Sequence, residues 1–478
     1  MLCDARNSKR SLFAMRTSPD GELIIPRALW AAVIIAYCVI LPLHTYCDIL
    51  ITAKQGYSLW DLLLEGKAQY FYIDSAAGSG NPYYTVTYEA AYLFPVYLIF
   101  AVWNFPTWLL GKMTGASFFN TVPSMIWMKL MLVPFIVVSA RQINHIVKKT
   151  AYRQYAQLAA FLFVSSILTV YPIAVIGQYD ILGLPFILWG ISAWIDGDFK
   201  KFLAAFACAS VFKYFALLYF LPLLLLREKK IGRILLSFAA VLVPSVLLAN
   251  LFPGDLGHGG NLLLIAQFLN GVILSDDTTL YVFAAAVALV LLYLYFAPCD
   301  KKDELPVLAF SLFVIFASFC ILAAPLPYWV VIASPAFVFA VVFSEKNNGK
   351  LLFFETVIAW GVTLKNFILF PACFSIRTTG AMGVLHRLLG TAAPALTDDS
   401  SVLLRIHDSP ILSPIVRSVL FAGLCVCFAA AACFSFPGGR RNEMWEPLNG
   451  GAVYLRTAGN IALAVLPATY IAFHMLFR

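Results

Sequence analysis

Apolar runs of about 17–25 residues, the length at which a helix spans a bilayer, recur from Ala28 to Phe477. Such runs leave few choices, because backbone hydrogen bonds inside a membrane must be satisfied within the segment. An all-α, polytopic membrane protein is therefore expected. Composition agrees: 61% of residues are hydrophobic and 12% charged, against roughly 45–50% and 25% in soluble domains. Met1–Arg27 reads as a polar tail, and Ala28–Cys47 is too long for the core of a cleavable leader. The ten cysteines follow no metal or redox spacing. Half of them (Cys38, Cys208, Cys320, Cys425, Cys433) are examples inside apolar runs, where cysteine acts as a small hydrophobe.

A net charge of +8 invites a nucleic-acid reading, but its distribution argues otherwise. Of the 33 basic residues, 22 fall in seven short stretches between apolar runs, from Arg6–Arg27 to Arg440–Arg456. Basic loops mark the cytoplasmic face. The expected path has about eleven crossings, starting inside and ending outside: Ala28–Cys47, Pro123–Ala140, Tyr155–Ile176, Ile181–Ile195, Ile234–Phe252, Leu280–Ala297, Pro306–Ala323, Tyr328–Phe343, Leu351–Pro371, Ile411–Phe436 and Ala458–Phe477. Residues 1–27 form a cytoplasmic tail. Residues 28–233 form a first module with a large external loop at 48–122. Residues 234–478 form a second, with external loops at 253–279 and 372–410.

Two segments break the alternation. Ala90–Leu110 is apolar enough to cross, yet counting it would put the basic "RQINHIVKK" stretch outside. A helix lying along the outer interface is expected instead. Phe202–Leu226 has basic loops on both sides, so a re-entrant hairpin of two short helices is expected, turning at Lys213. Irregular backbone at that depth requires protein or a polar cavity around it.

The polar residues that remain are few. Asp48 ends the first expected span, and Asp180 opens the fourth at the same face. Hydration at a helix end explains either one, and Asp180 also suits a helix N-terminus. Lys129, Lys213 and Lys365 lie within apolar segments. Snorkelling accounts for Lys129 and Lys365, but Lys213 is far from either end of its segment. Outer carboxylates with buried cations point to a site for a phosphate-bearing lipid.

The stretches "CDI" (Cys47–Ile49), "NPYYTVTYEAAYLFP" (Asn81–Pro95), "GQYD" (Gly177–Asp180) and "FKYFALLYFLPLLLL" (Phe212–Leu226) give the layout its character. Over about Ala28–Arg233 it resembles the polyprenyl-phosphate-sugar-dependent glycosyltransferases of the GT-C type, bacterial mannosyltransferases among them. The resemblance implies a GT-C fold and a sugar donor linked to polyprenyl phosphate in the outer leaflet. It implies Asp48 as general base, with Glu89 the alternative, and Asp180 as the group orienting the acceptor or holding a basic partner. Lys213, Lys129 and Lys365 would meet the donor phosphate, with Lys54 a further contact. Tyr83 and Tyr84 would stack on sugar faces, and Gln178 would lie beside the substrate. Many members carry an acidic pair after the first span, whereas Ile49 and Leu50 follow Asp48 here.

Other classes stay open. A transporter or flippase also uses intramembrane lysines and broken helices, although the inner halves of the expected spans show few charges. A non-catalytic component of envelope-polymer assembly fits too. No P-loop, zinc motif or hydrolase elbow occurs, and no spacing demands a metal or other cofactor. The expected partners are the lipid-linked donor and membrane lipids. The expected place is the cell membrane, with the site on the external face.

Overall fold

A computed structural model describes residues 15–19, 21–43, 46–76, 90–115, 122–252, 271–275, 278–296, 300–323, 325–344, 347–370, 402–437 and 450–476. Helix dominates. The strand pairs among these residues are two small antiparallel hairpins, β1 (Arg16–Thr17) with β2 (Leu23–Ile24) and β3 (Gly271–Ser275) with β4 (Thr278–Tyr281). Six helices are long and apolar enough to cross a membrane, or seven if a bent pair counts as one span. The protein is thus an all-α, multi-pass membrane protein.

The first helices are α1 (Arg27–Ile40), α2 (Cys47–Leu64), α3 (Phe71–Ala76), α4 (Phe94–Thr114), α5 (Val122–Leu130) and α6 (Leu132–Lys148). Then come α7 (Ala156–Ser165), α8 (Ile167–Val170), α9 (Leu184–Asp196), α10 (Phe199–Phe212), α11 (Leu217–Arg227) and α12 (Ile231–Ala249). The remainder are α13 (Val282–Phe296), α14 (Glu304–Leu322), α15 (Ser334–Val342), α16 (Asn348–Leu369), α17 (Val402–Asp408), α18 (Leu412–Ser435) and α19 (Gly450–Leu476).

Most of these helices run between two chemically different ends. At one end the basic loops meet. Lys148 lies 3.3 Å from Glu22, Lys149 2.6 Å from Asp196, and Arg227 2.6 Å from Glu304. Tyr152 packs on Phe343, and Asn347 donates to the Phe434 carbonyl at 2.9 Å. At the other end the Tyr46 amide donates to Ile176 at 3.1 Å, and the Tyr46 and Tyr328 rings are 6.1 Å apart. Phe94 there packs on Phe252.

Of the eleven expected spans, those at Pro123–Ala140, Ile234–Phe252, Pro306–Ala323, Leu351–Pro371 and Ile411–Phe436 coincide with helices long and apolar enough to cross, and Tyr155–Ile176 with the bent pair. Phe202–Leu226 is the pair α10 and α11, meeting at Lys213. The boundaries differ in two places. α1 stops at Ile40, so Asp48 belongs to the first turn of α2 rather than to the end of the first span. The expected basic loop Arg141–Lys149 is largely helix, because α6 continues to Lys148 with its apolar face intact. α4, expected to lie along the interface, is itself one of the six helices long and apolar enough to cross; its Phe100 meets Tyr179, Trp103 stacks on Trp127, and Trp108 donates to Asp61 of α2.

Packing separates inner from outer helices. α14 is apolar all round and largely buried, as a central helix should be. α12 and α18 leave Leu236, Val246, Val419 and Val426 exposed, the faces that hydrocarbon would cover. α9 and α10 approach closely because Gly190 has no side chain: a Cβ there would come within 2.5 Å of the Phe206 ring.

One break in the helical body has a visible cause. Between α7 and α8 the axis bends by 49°. Ser166 is extended there, and its hydroxyl accepts from the Leu168 amide. Such a break frees carbonyls that water cannot reach. Arg456 and Asn460 of α19 satisfy them, donating to Leu162 at 3.1 Å and Ser165 at 2.8 Å.

Candidate functional site

α10 has 14 residues and α11 has 11, so even the longer spans only about 21 Å at 1.5 Å per residue. A hydrocarbon core is about 30 Å thick. Three chain reversals come together at the end away from the basic loops: Gly177–Gly183, Lys213, and Leu326–Trp329. They form a floor, with α2 and α4 beside it.

Lys213 and Asp180 occupy that floor. Lys213 links α10 to α11 in extended conformation. Asp180 lies in a 3₁₀ turn, Tyr179–Gly183, leading into α9. The Lys213 ammonium is 2.9 Å from Asp180 Oδ1, and the side chains are 15% and 1% exposed. An intramembrane cation needs such a partner. Asp180 Oδ2 meets no hydrogen-bond donor among the described residues. Three rings surround the ammonium, with centroids at 4.8 Å (Tyr92), 5.5 Å (Trp329) and 5.9 Å (Phe215). That is the geometry of cation–π attraction.

Asp48 comes to the same floor from α2. Gln178 donates to its Oδ2 at 2.6 Å, so the "GQYD" stretch touches both acidic positions. Asp48 is only half-buried. Tyr179 is clamped between the two segments, its hydroxyl 2.7 Å from Thr52 Oγ1 and its ring against Tyr92 and Phe100. Lys54 is half-buried further along α2.

Lys129 and Lys365 have a different setting. Lys129 is fully buried and donates to Leu41 at 2.8 Å, Ala174 at 2.6 Å and Val175 at 3.3 Å. Those carbonyls belong to the ends of α1 and of the π-helical turn Tyr171–Ile176 that continues α8. Lys365 is buried and donates to Cys320 at 2.5 Å and Ile321 at 3.4 Å, in the last turn of α14. Carbonyls at a helix C-terminus lack intrahelical partners and carry partial negative charge. Both lysines therefore cap helix ends beneath the floor. Lys129 holds the strands that lead to Asp48 and Gln178, and Lys365 holds the one that leads to Trp329.

Glu89, Tyr83 and Tyr84 lie outside the described residues. Tyr92, Tyr179, Phe215 and Trp329 belong to the floor but not to the sequence-level site, since interfacial aromatics look alike in sequence. Arg456 needs correction. The sequence places it with the cytoplasmic basic stretch, but it is 2% exposed inside the helical body. It forms a two-pronged pair with Glu355, with both bonds at 2.7 Å, and also donates to Ser165 at 3.0 Å. The helical body thus holds a second buried ion pair besides Asp180–Lys213. The signal was present: Glu355 in "FFETVIAW" and Arg456 in "YLRTAGN" are opposite charges at similar depth in apolar segments.

Among the described residues, no three His, Cys, Asp or Glu side chains cluster as metal ligands. No protein-family model matches the chain, and no curated protein or solved structure shows significant similarity to it.

Proposed function

We propose that this protein is an integral-membrane glycosyltransferase of GT-C type, moving a sugar from a polyprenyl-phosphate-linked donor to an acceptor at the outer face. The observation that carries the reading is the shared floor: half-buried Asp48 and the Asp180–Lys213 pair, joined through Gln178–Tyr179, below an aromatic wall. Carboxylates for proton transfer, a cation for phosphate and rings for a sugar face are what such a reaction requires.

In the proposed reaction the acceptor hydroxyl donates its hydrogen bond to Asp48, which orients its oxygen toward the anomeric carbon, while Asp180 holds Lys213 in place. Attack forms the new C–O bond as the bond to the phosphate oxygen breaks. Asp48 takes the hydroxyl proton, and polyprenyl phosphate departs with the bonding electron pair. Attack opposite the leaving group inverts the anomeric centre. A positioned base contributes roughly 10²–10⁴ in rate. Lys213, paired to Asp180 yet 15% exposed, would meet the phosphate where charge develops, and such stabilisation counts most in a water-poor site. On this reading about eleven crossings and the α10–α11 hairpin span a cell membrane, with the N-terminus and basic loops cytoplasmic and α2 and α4 external.

The test supplies membranes holding wild type, Asp48→Asn or Asp180→Asn with labelled polyprenyl-phosphate sugars and follows label leaving the donor. Transfer by wild type that falls at least 100-fold in Asp48→Asn, at normal protein level and donor binding, establishes the activity and its base. Transfer that survives Asp48→Asn removes Asp48 from that role. If donor sugar reaches the opposite leaflet chemically unchanged, the protein is a flippase.

A further inference from the structure

A second site lies at the basic end, far from the floor. A cavity of about 410 Å³ opens between the start of α14, the end of α15 and the end of α18. Its size is within the range of small-molecule pockets, about 300–1,000 Å³. Tyr152, Phe343 and Phe436 supply aromatic wall, and Lys302, Asp303 and Asn347 supply polar groups.

Unmet hydrogen-bonding capacity gathers beside it. Asn347 is 8% exposed; its Nδ2 donates to Phe434, while its Oδ1 meets no partner among the described residues. The next residue, Asn348, is 6% exposed, and both of its side-chain polar atoms are unpartnered in the same sense. A buried polar group without a partner is costly, and three such atoms on adjacent residues call for an explanation. Asn347 also precedes the first turn of α16, a helix of 22 residues, and its side chain does not cap that helix. The first amides of a helix attract anions, and phosphate above all. Two cations flank the place: Lys302 on the cavity wall, and Lys350, buried in the first turn of α16 with its ammonium 4.8 Å from the Phe434 ring.

We infer that this cavity binds a phosphate ester that also carries a hydrogen-bond donor. The phosphate lies against the N-terminus of α16 and Lys302. The hydroxyl or ammonium of the ester donates to Asn347 Oδ1 and Asp303, and its carbon atoms rest on Phe343 and Phe436. A glycerophosphate or aminoethyl-phosphate lipid headgroup has this chemistry, and so does the corresponding free phosphate ester.

The experiment uses the full chain in detergent, stripped of lipid and titrated with phosphatidylglycerol or phosphatidylethanolamine, with bound lipid counted by native mass spectrometry. A second arm adds soluble glycerophosphate as competitor. Wild type is expected to hold one lipid in preference to a diacylglycerol control. Lys302→Met should weaken that binding several-fold and Asn347→Leu at least ten-fold, with Lys301→Met unchanged. Competition by glycerophosphate shows that the site accepts the soluble ester, whereas its absence shows that the acyl chains are required. Lys302 is exposed, so its variant carries the test should Asn347→Leu fail to fold. Equal binding of the diacylglycerol control, or binding unchanged in Lys302→Met, overturns the inference.

Discussion

The Lys129 side chain lies across Gly177. A Cβ on residue 177 would come within 3.0 Å of Lys129 Cε, and Gly177 has a φ of +82°. Glycine thus serves two purposes at once: it allows the left-handed turn that ends the π-helical segment, and it leaves room for the lysine that caps that segment's carbonyls. Left-handed backbone costs other residues roughly 1–2 kcal/mol, to which displacement of the lysine adds. Gly177→Ala and Gly177→Asn should both lower the apparent melting temperature in detergent, since either adds the Cβ that meets Lys129. Equal melting of the three proteins would remove Gly177 as a constraint.

The Asp180–Lys213 pair should show strong coupling. Breaking a buried ion pair from one side costs about 3–5 kcal/mol, whereas removing both partners is often near neutral. Asp180→Asn and Lys213→Met should therefore each reduce folded yield, and the double variant should recover much of it. Fluorescence-detected gel filtration after heating reads this out. Additive losses would mean that the two side chains act independently.

Asn460 bridges two groups, donating to the Ser165 carbonyl at 2.8 Å and accepting from Trp360 Nε1 at 2.7 Å. Leucine there would leave both without a partner, at about 1–3 kcal/mol each. Asn460→Leu should therefore be clearly less stable than wild type, and Trp360→Phe should remove part of the difference. Arg456→Lys should also destabilise, because an ammonium cannot reproduce the two-pronged bond to Glu355 while serving Ser165 and Leu162. Thermal unfolding of the four proteins in one detergent is the measurement.

The arrangement of the two ends also makes a topological prediction. Single cysteines at Lys67 and Lys112, in a background without native cysteine, should react with an impermeant thiol reagent from one side of sealed vesicles. Cysteines at Lys201 and Lys302 should react only from the other. Labelling of the Lys67 and Lys112 positions from opposite sides would contradict a path in which α4 does not cross.

Much of the architecture was legible because bilayer thickness and backbone hydrogen bonding act on local sequence. The apolar runs show where helices form, and the basic stretches show which turns share an end. Lys213 stood out for the same reason, as a charge too far from either end of its segment to escape. The bond from Gln178 to Asp48, the rings of Tyr92 and Trp329, and the caps made by Lys129 and Lys365 depended on which helices became neighbours. That is a tertiary matter, since a buried ammonium in an apolar run reads the same whether it meets a substrate phosphate or a helix-end carbonyl. Arg456 shows the limit most clearly. In sequence it belonged with the basic loops; only the broken α7–α8 segment, with carbonyls that no water reaches, made it a buried structural charge.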